Sequence, residues 1–195
     1  MTRGRPIAFS PDEAASAAMQ VFWARGYDSA STRDLLEAMK ISRSSLYQAF
    51  GNKEQLFLEA LRRYRGNLID RLNYRLEASP SALGFLRELF VETAQESGSE
   101  RAALGCLIFN SASELGQRGD IAAIEARRSV QAITALFHEA VVRSQAEGDI
   151  ASDRDALALA TYLTLGMAGL RTLLKSGAAP AQTEAAAELL LGTLR

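Results

Sequence analysis

Four helix-start signals crowd into the first 55 residues, and they constrain the fold more than any other feature of the chain. Ser10-Pro11-Asp12-Glu13 offers a hydroxyl cap, a proline at the first helical position and a glutamate able to reach back to the cap. Ser31-Thr32-Arg33-Asp34 repeats the pattern with an aspartate, Ser42 opens a third start and Asn52 a fourth. Each of these side chains can accept hydrogen bonds from amides that the first helical turn leaves without partners. Between Ser31 and Asn52 there is room only for two short helices joined by a tight turn. That arrangement is a helix-turn-helix, whose second helix can enter a DNA major groove.

Apolar spacing fills in the elements. Ala14, Ala17, Ala18, Val21 and Phe22 give the first helix an inward face, and Gly26 ends it. Leu35, Leu36 and Met39 serve the second helix, Leu46 and Phe50 the third, and Leu56, Phe57, Leu61, Tyr64 and Leu68 a long fourth. Helical stretches follow at 81–97, 102–116, 120–147, 153–175 and 181–194, separated by Ser79-Pro80, Gly98, Gly116 to Gly119, Gly148-Asp149 and Gly177 to Pro180. The expected fold is all-α, with about nine helices. Residues 1–52 form a helix-turn-helix domain and residues 53–195 a helical ligand-binding and dimerisation domain, the boundary falling inside the fourth helix.

Several function classes are disfavoured. Cys106 is the one cysteine and His138 the one histidine, which argues against a disulfide framework and against a zinc site; neither metal nor cofactor is expected. The N-terminal segment is polar, and no uninterrupted apolar run reaches the roughly 18 residues of a membrane span. The expectation is a soluble cytoplasmic protein without membrane contact. Charge is uneven: residues 1–75 carry 12 Lys/Arg against 8 Asp/Glu, and the remainder 10 against 15. A basic front on an acidic remainder suits a polyanionic partner held at one end.

The third helix supplies the chemistry for reading a duplex. Arg43, Ser44, Tyr47 and Gln48 fall on the face away from Leu46 and Phe50. Arginine can donate two hydrogen bonds to guanine, glutamine pairs bidentately with adenine, and serine adapts to either. The Tyr47 hydroxyl suits a phosphate oxygen. Lys53 adds charge to the amides at the start of the fourth helix, and Thr32 and Arg33 do the same at the start of the second, with Ser42 capping the third. Arg3 and Arg5 lie on an arm able to reach an adjacent minor groove.

Gly4-Arg5-Pro6, Phe22-Trp23-x-x-Gly26-Tyr27, Ser31-x-x-Asp34-Leu35, Ser42-x-x-Ser45-Leu46-Tyr47-x-x-Phe50 and Lys53-x-x-Leu56-Phe57 together resemble the N-terminal domain of TetR-family transcriptional regulators. The resemblance covers about residues 4–60. It implies a homodimer that sets its third helices in the half-sites of a palindromic double-stranded operator, and a C-terminal domain whose small-molecule inducer relieves repression. One departure is Lys40, in the turn where the family usually has glycine. There it must either accept a left-handed conformation or shift the turn.

In the C-terminal half, Leu104-Gly105-Cys106-Leu107-Ile108-Phe109-Asn110 is the segment richest in chemistry. Its Gly-Cys-Leu-x-x-Asn pattern resembles a subgroup of the family, some of whose members sense electrophiles or oxidants with such a cysteine. A small buried hydrophobe is the plainer reading of Cys106. Phe109, Asn110, Glu114, His138 and Tyr162, with Cys106, are candidates for an inducer pocket, whereas Phe85, Phe90 and Phe137 read as core. For the dimer, the expected stripe is Leu159, Leu163, Gly166, Leu170 and Leu173 with Leu189, Leu190 and Leu194. Two other readings are an activator or architectural DNA-binding protein without an inducer, and an enzyme using Cys106 with His138 as base.

Overall fold

A computed structural model describes residues 9–194, so Arg3 and Arg5 lie outside the described residues. Every regular element among them is a helix. The four start signals act as expected: Ser10, Ser31, Ser42 and Asn52 accept from the amides of Glu13, Asp34, Ser45 and Gln55. They open α1 (Pro11–Arg25), α2 (Thr32–Met39), α3 (Arg43–Phe50) and α4 (Lys53–Ala78). At α2 the capping box is reciprocal, because Asp34 also accepts from the Ser31 amide.

Then come α5 (Ala82–Gln95), α6 (Glu100–Leu104), α7 (Leu107–Leu115), α8 (Ile121–Ala146), α9 (Ala156–Lys175) and α10 (Pro180–Gly192). The stretch expected as one helix over 102–116 is broken in two. Gly105 adopts φ +68° and Cys106 stands as the extended N-cap of α7, which bends the chain between α6 and α7. Lys40 resolves its alternatives by taking the left-handed conformation (φ 54°, ψ 40°) at the end of α2. It is the one described residue other than glycine with positive φ.

The core runs without interruption from α1 to α10. Phe22 meets Phe57 edge-on at 5.2 Å between ring centroids, and Tyr27 packs on Phe57 at 4.7 Å. These rings fasten α1 and its following loop to the start of α4. Further along α4, Leu72 and Leu76 join Phe85, Phe90, Ile133 and Phe137 in the same buried cluster. Helix α4 therefore belongs to both ends of the molecule, packing on α1, α3, α5, α7 and α8.

By length and composition α9 is apolar enough to cross a membrane, although Arg171 interrupts its apolar run and Lys175 ends it. In this fold Leu159, Leu163, Met167, Leu170 and Leu174 are buried against α8, α10 and neighbouring helices.

One ion cluster ties α4 to α8. Glu125 is only 2% exposed, and both of its oxygens are held by arginines of α4, Arg62 and Arg65. Arg65 also donates to the Ser129 hydroxyl. Burial pushes the Glu125 carboxyl up, but the two guanidiniums outweigh it and hold it below the usual glutamate value of 4.5. A carboxyl depressed in this way stabilises the fold above its unfolded pKa, and that contribution is lost as pH falls through the folded value. Glu125→Gln should cost about 3 kcal/mol at neutral pH, because it leaves two guanidiniums facing an uncharged group. In thermal melts the difference from wild type should shrink as pH is lowered below 4.5.

Candidate functional site

The α2–α3 unit presents its polar face outward. Leu35 and Leu46 are buried beneath it, while Arg33, Ser42, Arg43, Ser44, Tyr47 and Gln48 are exposed and Thr32 is half-buried. Tyr47 is 52% exposed, a large value for an aromatic residue. Among the described residues Arg33, Lys40 and Arg43 enter no ion pair, whereas Arg25, Arg62, Arg63, Arg65, Arg75, Arg118, Arg143 and Arg171 all do. Ser42 shares hydrogen bonds with the hydroxyls of Ser44 and Ser45, so the α3 N-terminus is built of small neutral groups. Such a face carries unspent positive charge and adaptable donors without a carboxylate of its own on α3.

Lys53 sits differently from its neighbours. Its ammonium donates to the Asp28 carbonyl at 3.3 Å and lies 4.8 Å over the Tyr27 ring. It braces the α1–α2 loop while remaining partly open to solvent.

The same loop is gripped from the other side. Glu114, at the end of α7, accepts the Tyr27 amide at 2.8 Å and the Asp28 amide at 2.7 Å. Arg118 adds a bidentate ion pair to the Asp28 carboxylate, holding that carboxyl well below its ordinary value. Nearby, the Trp23 indole donates to the Gly105 carbonyl at 3.2 Å. Glu114, expected to orient an inducer, borders the cleft beside α7 with Phe109 and Asn110, and both of its oxygens accept backbone amides of the loop. Asn110, expected in the same role, donates to the Leu104 carbonyl at 2.8 Å and closes the α6–α7 bend, although it also borders the cleft beside it.

Beneath the bend is a small, mainly apolar cavity of about 40 Å³. Leu68, Leu72, Leu89, Ile133, Phe137 and Met167 line it, with Cys106 and Phe109. The polar groups on its wall are Tyr64, Arg101 and Arg171. Tyr64 donates to the Cys106 sulfur at 3.8 Å, and burial, with Cys106 beside it, pushes the Tyr64 hydroxyl far up, so it stays a donor. Arg171 is held by Glu96 and Thr93. Of the expected pocket residues the structure brings Cys106 and Phe109 to this cavity. His138, half-buried on α8, and Tyr162, in a shallow surface pocket with Arg154 and Asp155, do not line it. Phe137 belongs to both core and cavity wall. Arg101, just upstream of Cys106, is near it in sequence as well as in space; sequence reasoning missed Arg171 and Met167, and the one available signal was Arg171, a lone charge inside the apolar run of α9.

The expected dimer stripe needs a similar correction. Leu159, Leu163, Leu170 and Leu194 are buried within their own chain. A side chain at Gly166 would start 2.8 Å from a Leu190 methyl, so that close approach joins α9 to α10 of the same chain. Leu173 and Leu189 stay exposed, and with them Leu157 and Leu165, which sequence spacing had not singled out.

Two family descriptions match the chain in tandem. "Bacterial regulatory proteins, tetR family" matches residues 15–60, and "Tetracyclin repressor-like, C-terminal domain" matches residues 83–190. The HTH-type transcriptional repressor ComR of Escherichia coli (strain K12) is 33% identical over 184 residues, spanning 91% of this chain and 85% of that protein. The HTH-type transcriptional regulator YezE of Bacillus subtilis (strain 168) is 32% identical over 174 residues, spanning 88% and 89%. Among solved structures, a cysteine mutant of the TetR family regulator CifR complexed with 26-base-pair operator DNA superposes with a TM-score of 0.85. It is 36% identical and covers 98% of this chain and 100% of that one.

The grip on the α1–α2 loop can be tested at Gly26. Its φ of +80° disfavours any side chain, and a Cβ there would lie 2.7 Å from a Glu114 oxygen. Gly26→Ala should lower stability by about 1–2 kcal/mol from backbone strain alone, and further if Glu114 is displaced. Chemical denaturation reads the loss; a variant as stable as wild type would contradict it.

Proposed function

The chain belongs to the TetR family of bacterial regulatory proteins and is a transcriptional regulator rather than an enzyme; from that premise we propose that it reads a palindromic operator as a homodimer and releases it on binding an inducer. The observation that carries the reading is the α3 face, with Arg43, Ser44, Tyr47 and Gln48 exposed and Arg33, Lys40 and Arg43 without acidic partners among the described residues.

In this reading residues 1–52 are the DNA-reading domain and residues 53–195 the sensing and dimerising one, with α4 shared between them. Arg43, Ser44 and Gln48 meet base edges. Thr32, Arg33, Ser42, Tyr47 and Lys53 hold phosphates, and Arg3 and Arg5 reach the minor groove. Two α3 helices sit in successive major grooves about 34 Å apart. The pairing surface is the outer face of α9 and α10, where Leu157, Leu165, Leu173 and Leu189 are exposed in one chain. Burying four such leucines across a two-fold axis is the ordinary use of so large an apolar face.

The inducer site is the cavity at Cys106. At about 40 Å³ it has room for no more than a few atoms of a ligand. A compound larger than that must push Phe109 and α7 away from α4. Glu114 and Arg118 lie at the far end of the same helix and beyond it, so displacement of α7 moves the α1–α2 loop and changes the spacing of the two α3 helices. The ligand then acts by favouring the displaced state, by as much as its affinity for the two states differs. Within the Gly-Cys-Leu-x-x-Asn subgroup reading, the Cys106 sulfur, its proton lost to solvent, would attack an electrophile's carbon, and the adduct would enlarge the residue and act in the same direction.

Selection from a random duplex library should return a palindrome with half-sites one turn apart. Against that sequence, Tyr47→Phe and Lys53→Gln should weaken binding to every duplex; Lys53→Gln should also flatten its salt dependence by about one unit of slope or less, while Tyr47→Phe, which removes no charge, should leave the slope unchanged. Gln48→Ala and Arg43→Ala should instead change base preference by about 1–3 kcal/mol at one position. Uniform weakening in the second pair would remove the base-reading assignment. Separately, Leu165→Glu with Leu189→Glu should leave a folded monomer in sedimentation; an intact dimer would exclude this face as the interface.

A further inference from the structure

A second cavity, of about 510 Å³, opens between the C-terminal end of α1, α7 and the last turns of α9. It is distinct from the apolar cavity at Cys106 and touches it only through Phe109 and Arg171. Its wall carries three cations, Arg25 from α1 and Arg171 and Lys175 from α9, against one carboxylate, Glu114. Both Glu114 oxygens are already occupied by the Tyr27 and Asp28 amides. Arg25 is paired with Asp34 through one of its nitrogens, and Arg171 with Glu96. Lys175 enters no hydrogen bond or ion pair among the described residues. Its stem lies beside Gly105, where an added Cβ would be 3.1 Å from Lys175 Cδ. Donors therefore exceed free acceptors around the cleft: Glu114 keeps its charge, but both of its oxygens are turned to the loop amides.

We infer that this cleft binds a small multiply charged anion, of the phosphoryl or polycarboxylate class. Lys175 supplies its main charge contact and Arg25 approaches from the opposite wall. The Ser113 and Thr172 hydroxyls are the neutral partners within reach. Such a ligand touches α1 and α9 at once, bridging the element that leads into the helix-turn-helix and the element that carries the apolar outer face. The site does not depend on the operator reading, and its test needs no DNA.

Trp23, the only tryptophan in the chain, forms part of the wall and reports on occupancy directly. Full-length protein is titrated with inorganic pyrophosphate at constant ionic strength while Trp23 emission is followed. The expected result is a saturable change with a midpoint near 1 mM or tighter, roughly the −4 kcal/mol of a simple anion site. The midpoint should rise at least about fivefold in Lys175→Gln and return toward wild type in Lys175→Arg. A response that does not saturate, or an unchanged midpoint in Lys175→Gln, overturns the proposal. So does loss of the response in Arg43→Gln with Lys175 intact, which would assign the anion to the α3 face.

Discussion

Two hydrogen bonds fix the α1–α2 loop to the end of α7: the Glu114 carboxylate accepts the amides of Tyr27 and Asp28. The loop they hold follows α1 and precedes the helix-turn-helix, so its position sets where α2 and α3 stand relative to the rest. A carboxylate can take two adjacent amides only if nothing fills the space beside them. Gly26 leaves that space empty, and its left-handed conformation turns the amides toward α7. Arg118 on Asp28 and Lys53 on the Asp28 carbonyl and Tyr27 ring close the loop in from other directions. Being charge-assisted, these contacts are stronger than neutral hydrogen bonds and more dependent on geometry.

The rest of the architecture can be understood from that grip. Helix α7 begins at Cys106, above the small cavity, and ends at Glu114 and Leu115, against the loop. One short helix thus spans the distance between the small apolar cavity and the helix-turn-helix. Helix α4 provides the second connection, fixed to α1 through Phe22 and Phe57 and to α8 through Glu125. Motion of α7 relative to α4 is the change that both connections would register, and the near-filled cavity between them is where an added group would force it.

The sequence was most legible where local chemistry decides the outcome. Caps at Ser10, Ser31, Ser42 and Asn52 depend on residues within three positions, and the structure has each of them. The exposed face of α3 follows from helical periodicity once Leu46 is buried. What spacing could not settle was direction across the core. Leu159, Leu163 and Leu170 form a clean stripe, yet α8 and α10 of the same chain take it, leaving Leu157 and Leu165 outside. Glu114 and Asn110 looked like ligand groups because they share a helix face beside Cys106. Their partners, Tyr27, Asp28 and Leu104, lie far away in sequence or behind a bend at Gly105, and periodicity does not reveal such contacts. Arg171 reaches the cavity for the same non-local reason.

Hydrogen exchange at the Tyr27 and Asp28 amides tests the central claim most directly, compared between wild type and Glu114→Ala by NMR. If Glu114 holds the loop, both amides are protected in the wild type and exchange much faster in the variant, while amides within α4 change little. Equal, fast exchange of the two amides in both proteins would contradict the account and leave the helix-turn-helix without its connection to α7.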